Sequence, residues 1–256
     1  MIWEKQELDG DINYEKNFAE IKEKNSWHYL FESPRWILLN PAEEIVNFNY
    51  KYLENPSRQF KNRTNIIPRK IHDLGCGGGR HMYYFAELGY DVTGSDISTN
   101  AIEYTKNELI RRGMVADLAL CPMTELPFED DLFDVTISRA TINHSTLTDL
   151  KKIIFEVART TKKGGLFFVT FSSERASDWK KGEEVLKDIT YIPESGPEKG
   201  LVHTFLNATN TAALLEPYFL IEELYISEHP PLIKADNATD PNEYFGSEYV
   251  VVGIRR

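Results

Sequence analysis

Two carboxylates and a run of closely spaced glycines are the residues of this 256-residue chain best suited to seat a ligand. Asp73-Leu74 leads into Gly75-Cys76-Gly77-Gly78-Gly79-Arg80, and Asp96 stands 23 positions beyond Asp73. Glycine has no Cβ, so a ligand can lie against bare backbone there. A helix opening at the end of the turn points its first N–H groups at the same spot. A nucleotide-like molecule is the natural occupant, with Asp96 positioned to accept from both ribose hydroxyls. The glycine turn and the distant acid also suit a dinucleotide dehydrogenase. That fingerprint, however, wants a third glycine where Arg80 stands. A pyrophosphate is also ill matched to an acid at its door, whereas Asp73 beside the turn favours a ligand with a cationic end.

The surrounding elements must bring these groups together. Apolar runs at Lys70–Leu74, Tyr90–Ser95, Val115–Leu120, Phe133–Ser138 and Leu166–Phe171 read as strands. Between them, helices are expected at Arg80–Leu88 (stopped by Gly89), from Ser98 to about Arg112 (stopped by Gly113), and over Leu147–Thr161, ending at Gly164-Gly165. A short helix near Asn210–Glu216 and strands near Phe219–Ser227 and Ser247–Arg255 close the chain. Such alternation predicts an α/β fold: a Rossmann-like, doubly wound, mostly parallel sheet with an antiparallel C-terminal strand. Residues 67–256 form that domain, and 173–208 form a loop insertion over the active site. Residues 1–66 form an N-terminal helical cap, with a helix around Pro41 to Leu53 capped by Asn40.

The net charge of -11 argues against a broad nucleic-acid surface, although six basic residues crowd 51–70, a stretch best read as a solvated linker. There is no apolar run of transmembrane length and no signal-peptide core, so a cytoplasmic protein without membrane contact is expected. Cys76 and Cys121 have no metal-type spacing, and no metal is expected.

In such a sheet the ligand sits beyond the carboxyl ends of the strands. After the fourth strand that position brings Ser138, Arg139 and Asn143-His144 into play. Taken in order, the motifs resemble the class I S-adenosylmethionine-dependent methyltransferases. The match rests on Asp73-Leu74-Gly75-Cys76-Gly77-Gly78-Gly79-Arg80, Gly89 to Ser98, Leu126-Pro127-Phe128 and Lys162-Lys163-Gly164-Gly165-Leu166. The resemblance implies S-adenosylmethionine as cofactor, S-adenosylhomocysteine as product and a small-molecule methyl acceptor. It implies a cofactor site built from Asp73, Gly75, Cys76, Gly77, Gly79, Arg80, Asp96, Ile97, Met123, Ser138 and Arg139. Pro122 stands where such proteins commonly carry an acid for the adenine amine, leaving that edge to Met123.

Methyl transfer from a sulfonium needs alignment and water exclusion first, and a base only if the acceptor arrives protonated. His144, near the expected methyl position, and His203, at the end of the long loop, are the candidate bases. Trp27, Tyr29 and Trp36 are candidates for an aromatic lid. The competing readings are a nicotinamide-dependent oxidoreductase, a cofactor-binding sensor or partner subunit without turnover, and a methyltransferase acting on protein. The sequence does not set the oligomeric state.

Overall fold

The structure is a computed structural model that describes residues 27, 31, 37–54, 69–195, 198–229 and 246–256. In chain order its elements begin with the helix Glu43–Phe48 (α1), the strand Lys70–Leu74 (β1), the helix Arg80–Glu87 (α2) and the strand Asp91–Asp96 (β2). Thr99–Arg112 (α3), Asp117–Leu120 (β3), Phe133–Ser138 (β4), Leu147–Thr160 (α4) and Thr161–Ser172 (β5) follow. Glu183–Leu186 (β6), Thr190–Ile192 (β7), His203–Thr204 (β8), Ala208–Leu215 (α5), Phe219–His229 (β9) and Gly246–Arg255 (β10) complete the set.

The main sheet has the order β3-β2-β1-β4-β5-β10-β9. β1 to β5 run parallel, and β10 lies antiparallel between β5 and β9. Strand order reverses at β1, with β2 on one side and β4 on the other, so the loops leaving β1 and β4 part and open a crevice. Alternation along β5 sends Phe168 to a core shared with Ile45, Phe48 and Phe85, and Phe167 to a core shared with Ile154, Val157 and Phe219. Asp134 ties three strands at their amino ends: its carboxylate accepts from the Arg69 and Lys70 amides at 2.9 Å and from Lys162 Nζ at 2.7 Å.

Three expectations change. The helix expected from Pro41 begins at Glu43 with Ala42 as its N-cap, and no side chain caps it; Asn40 does not serve. Beyond Phe48 it widens into π-helical turns over Asn49–Glu54, which buries Asn49 between Tyr84 and Tyr90. Chain direction turns at Thr160 instead of at the glycines, because β5 already pairs at Thr161 opposite Phe133. Gly164, at φ +75°, and Gly165, whose Cβ would come within 2.8 Å of the Asp134 carbonyl, then absorb a bulge in that strand. Finally, the described residues of 173–208 include a three-stranded antiparallel sheet, β6-β7-β8, beside a cluster of Ala176, Tyr191 and Phe205. Strands of two to four residues are too short to show a period in sequence. The remaining cap residues, Tyr29 and Trp36 among them, lie outside the described residues.

Candidate active site

The glycine turn is hooked onto the end of β2. Gly75 N and Cys76 N both donate to the Ser95 carbonyl, at 2.8 and 3.0 Å. Gly75 and Gly77 have φ of +72° and +52°, values that only glycine adopts without strain. A Cβ on Gly75 would strike the Thr141 side chain from the β4 loop, so the two loops of the crevice touch there without intervening atoms.

Asp96 ends β2 and is 8% exposed. Its Oδ2 accepts from Gly77 N at 2.9 Å and its Oδ1 from Ser98 N at 2.8 Å. Burial still outweighs these bonds and raises its pKa. The fold therefore keeps a carboxylate here against its own electrostatic preference. Beside it Ile97 is 44% exposed. Both line a cavity of about 490 Å3 whose far wall carries Pro122, Met123 and Thr124. That wall is clamped from behind: Arg159 donates to the Leu126 and Phe128 carbonyls at 2.9 and 2.7 Å, and Glu156 accepts from Leu126 N at 2.8 Å.

A second cavity of about 430 Å3 lies on the other side of the turn, with Cys76, Arg80, Arg139 and His203 among its walls. The two cavities share Trp27, Phe31, Gly75, Gly77, Ala140 and His144. Ala140 sits at φ +54°, and its N–H donates to Thr170 Oγ1 at 2.8 Å. A non-glycine residue in left-handed backbone at the junction of two cavities is strain held where a ligand would pass. Trp27, one of the lid candidates, meets the His144 ring edge-on at 4.7 Å.

The insertion brings the second histidine in. Thr204, next to His203 on β8, donates through its N–H to the Asn143 carbonyl at 2.8 Å and through Oγ1 to the Ser145 carbonyl at 2.7 Å. The His144 and His203 rings consequently meet edge-to-face at 4.6 Å. Burial, and then the neighbouring His203, hold His144 well below the usual imidazole range, with the Val202 backbone pulling the other way. Burial lowers His203 to about 4. Both rings are therefore neutral at physiological pH, and His144 Nδ1 has no hydrogen-bond partner. Asp178 and Glu198 flank His203, with carboxylate oxygens 3.8 and 3.3 Å from its ring nitrogens.

Of the residues expected to hold a cofactor, Gly75, Gly77, Asp96, Ile97 and Met123 line the first cavity, and Cys76, Arg80 and Arg139 the second. Three do not line either. Ser138 donates to the Leu74 carbonyl at 3.0 Å and staples β4 to β1. Gly79 is the N-cap residue of α2, packed against Thr105 and Tyr83. Asp73 is 1% exposed behind the turn, 3.9 Å from His81, and burial raises it to about 7 against the pull of Arg80. Arg139 is partly engaged, since its guanidinium pairs with Glu248 at 3.2 Å and Glu44 at 3.8 Å. Sequence reasoning missed Ala140, Thr141, Phe31, Asp178 and Glu198. Only the position of Ala140 and Thr141 after the fourth strand could have pointed to any of them. Among the described residues there is no metal-binding cluster, and no helix is long and apolar enough to cross a membrane.

Residues 72–169 match the family described as "Methyltransferase domain". An uncharacterized methyltransferase of Synechocystis sp. is 33% identical over 111 residues, 43% of this chain and 50% of that protein. A ubiquinone biosynthesis O-methyltransferase of Rhizobium leguminosarum is 28% identical over 130 residues, 51% of this chain and 50% of that protein. In eight of its curated relatives the matched region spans between 27% and 57% of their own lengths. Among solved structures, the Burkholderia thailandensis 1,6-didemethyltoxoflavin-N1-methyltransferase, with 1,6-didemethyltoxoflavin and S-adenosylhomocysteine bound, superposes with a TM-score of 0.62 at 15% identity. That superposition covers 94% of this chain and 89% of that one, so the two share the fold.

Proposed function

We propose that this chain, whose residues 72–169 are similar to methyltransferase domains and whose motifs resemble those of the class I enzymes, is an S-adenosylmethionine-dependent methyltransferase acting on a small molecule. One observation carries the reading: two cavities meet over Gly75 and Gly77, with Asp96 in one and His144 in both.

The residues present fit the cofactor. A glycine cradle that any Cβ would fill, a buried carboxylate kept ionisable against its burial, and an exposed Ile97 are what a ribose and an adenine ring need. Asp96 would accept from the ribose hydroxyls, Ile97 and Met123 would flank the ring, and the Gly75–Gly77 backbone would carry the methionine part. When bound, the cofactor supplies a methyl group already activated on a cationic sulfonium. The chain has three tasks. Trp27 and Phe31 cover the junction of the cavities and exclude water. The walls of the second cavity orient the acceptor. His144 takes a proton at Nδ1 when the acceptor arrives as O–H or N–H, and its neutral state leaves that atom ready to receive one.

The small-molecule reading is supported by the modest size of the second cavity and by the acidic balance of the chain. It is also supported by relatives named for ubiquinone biosynthesis and for a toxoflavin precursor. A cytoplasmic location belongs to the same reading and fits two buried, unpaired cysteines. The test is incubation with methyl-labelled S-adenosylmethionine and a desalted metabolite extract. Label should move into the low-molecular-weight fraction as S-adenosylhomocysteine forms. Label retained in protein would contradict the small-molecule acceptor.

A further inference from the structure

The second cavity has a chemical bias: of the four buried polar atoms without a partner on its lining residues, only Arg139 Nε is an obligate donor, and that guanidinium is already held by Glu44 and Glu248. Asn143 Oδ1, His144 Nδ1 and His203 Nε2 are buried without a hydrogen-bond partner, and all three residues line the cavity. Asn143 and His203 are 5% and 4% exposed. Asp178 and Glu198 line the same space, and among the described residues neither pairs with a lysine or arginine. Glu198 Oε2 is 3.3 Å from His203 Nε2 but lacks the alignment of a hydrogen bond. The cations on this wall serve other acids: Arg139 pairs with Glu44 and Glu248, and Arg80 lies in the field of Asp73, Glu44 and Glu248. Lys181, whose charge reaches Asp178, is exposed, and the smaller cavity of about 220 Å3 that it lines has Asp178 and His203 on its wall as well.

Resting on the methyl-transfer reading above, we propose that the acceptor carries a protonated amine, which donates its three N–H bonds to Asp178, Glu198 and Asn143 Oδ1. An ammonium group offers three donors and no acceptor, the complement of this wall. The amine is the handle, and the methylated atom is the one that reaches His144. Two half-buried carboxylates, of which only Asp178 lies in the field of a cation, Lys181, are electrostatically unfinished, and a bound cation completes them. Burial raises Asp178, and raises Glu198 to about 7, with Asp178 adding to the rise. An ammonium would pull both carboxyls back toward ionisation, so binding near pH 7 releases protons. A carboxylate or phosphate at the same place meets like charge.

The test uses the full chain saturated with S-adenosylhomocysteine, whose binding is measured first; failure of that step overturns the methyl-transfer reading itself. Titration calorimetry then compares 2-phenylethylamine, 2-phenylethanol and phenylacetate, which share a skeleton and differ in charge. The amine should bind about tenfold or more tighter than either analogue, with proton release near pH 7 visible as buffer-dependent heat. In Asp178→Asn combined with Glu198→Gln the preference should vanish while S-adenosylhomocysteine still binds. Equal or tighter binding of the alcohol or the acid overturns the proposal. So does no binding of the amine at millimolar concentration, or an unchanged preference in the double variant. The comparison among the three probes on the unmodified chain stands even if the double variant does not fold.

Discussion

Asp96→Asn separates what the carboxylate does for the fold from what it does for a ligand. In the folded chain the two oxygens accept from Gly77 N and Ser98 N, and burial nevertheless raises the pKa of the group. Removing the charge relieves that burial penalty, while the amide's single acceptor oxygen keeps one backbone bond and loses the other, effects of opposite sign. Folding stability should therefore move by no more than ~1 kcal/mol in urea. Ligand affinity has no such compensation. Two hydroxyl bonds to a carboxylate, ~1.5–3 kcal/mol each, become bonds to a neutral amide, ~0.5–1.5 kcal/mol each, for a net loss of roughly 2–3 kcal/mol. Titration calorimetry with S-adenosylhomocysteine should accordingly show affinity about 30- to 150-fold weaker. An affinity within threefold of wild type would place the ribose elsewhere and refute the reasoning. A large stability loss would show that the carboxylate serves the fold after all.

Four further outcomes are expected. Gly75→Ala drives a Cβ into Thr141 at φ +72° and should lower stability by roughly 2–4 kcal/mol in chemical denaturation. His144→Asn should lower turnover by ~10²–10⁴-fold while S-adenosylhomocysteine binds as before; because burial holds the imidazole well below 6.5, any acid limb it sets in the wild-type pH profile lies below that value. Arg159→Ala frees the carbonyls of Leu126 and Phe128 and should destabilise the half-exposed clamp by ~2 kcal/mol, together with weaker cofactor binding. Asp73→Asn tests the buried acid: a folded pKa of about 7, raised from 3.8, makes the wild type lose stability as pH rises from about 4 through 7. The variant should therefore gain on wild type by about 2.7 kcal/mol between pH 5 and 8, a sum that follows from linkage at 1.36 kcal/mol per unit over the two units up to the folded pKa, and parallel urea curves for the two proteins at those pH values would contradict it.

The parts of this protein legible in sequence are those set by local rules. Gly89 and Gly113 stop helices in left-handed backbone, and the Ser98 side chain accepts from Ala101 N, as capping requires. The strand-end residues Gly75, Gly77, Asp96 and Met123 come together because strand order alone sends them to one crevice. What sequence does not carry is contact between distant segments. His203 approaches His144 only because Thr204 is bonded to the loop after β4, and nothing in residues 200–204 announces that. Asp178 and Glu198 look like ordinary surface acids until the β6–β8 sheet folds them inward. Ser138 shows the other side of this: it stands at the same strand end, and its hydroxyl turns back to bond the Leu74 carbonyl. Position at a strand end selects candidates, and side-chain direction decides among them.

The account stands or falls on which ligand stabilises the chain. Thermal denaturation with saturating S-adenosylmethionine, S-adenosylhomocysteine or NAD measures this directly, since a ligand that binds only the folded state adds about 2.7 kcal/mol at a hundred times its Kd. The first two should raise the midpoint with a logarithmic dependence on concentration, and NAD should leave it unchanged. Stabilisation by NAD, or no response to either sulfur compound, would contradict the claim that Gly75–Gly77 and Asp96 seat a methyl donor.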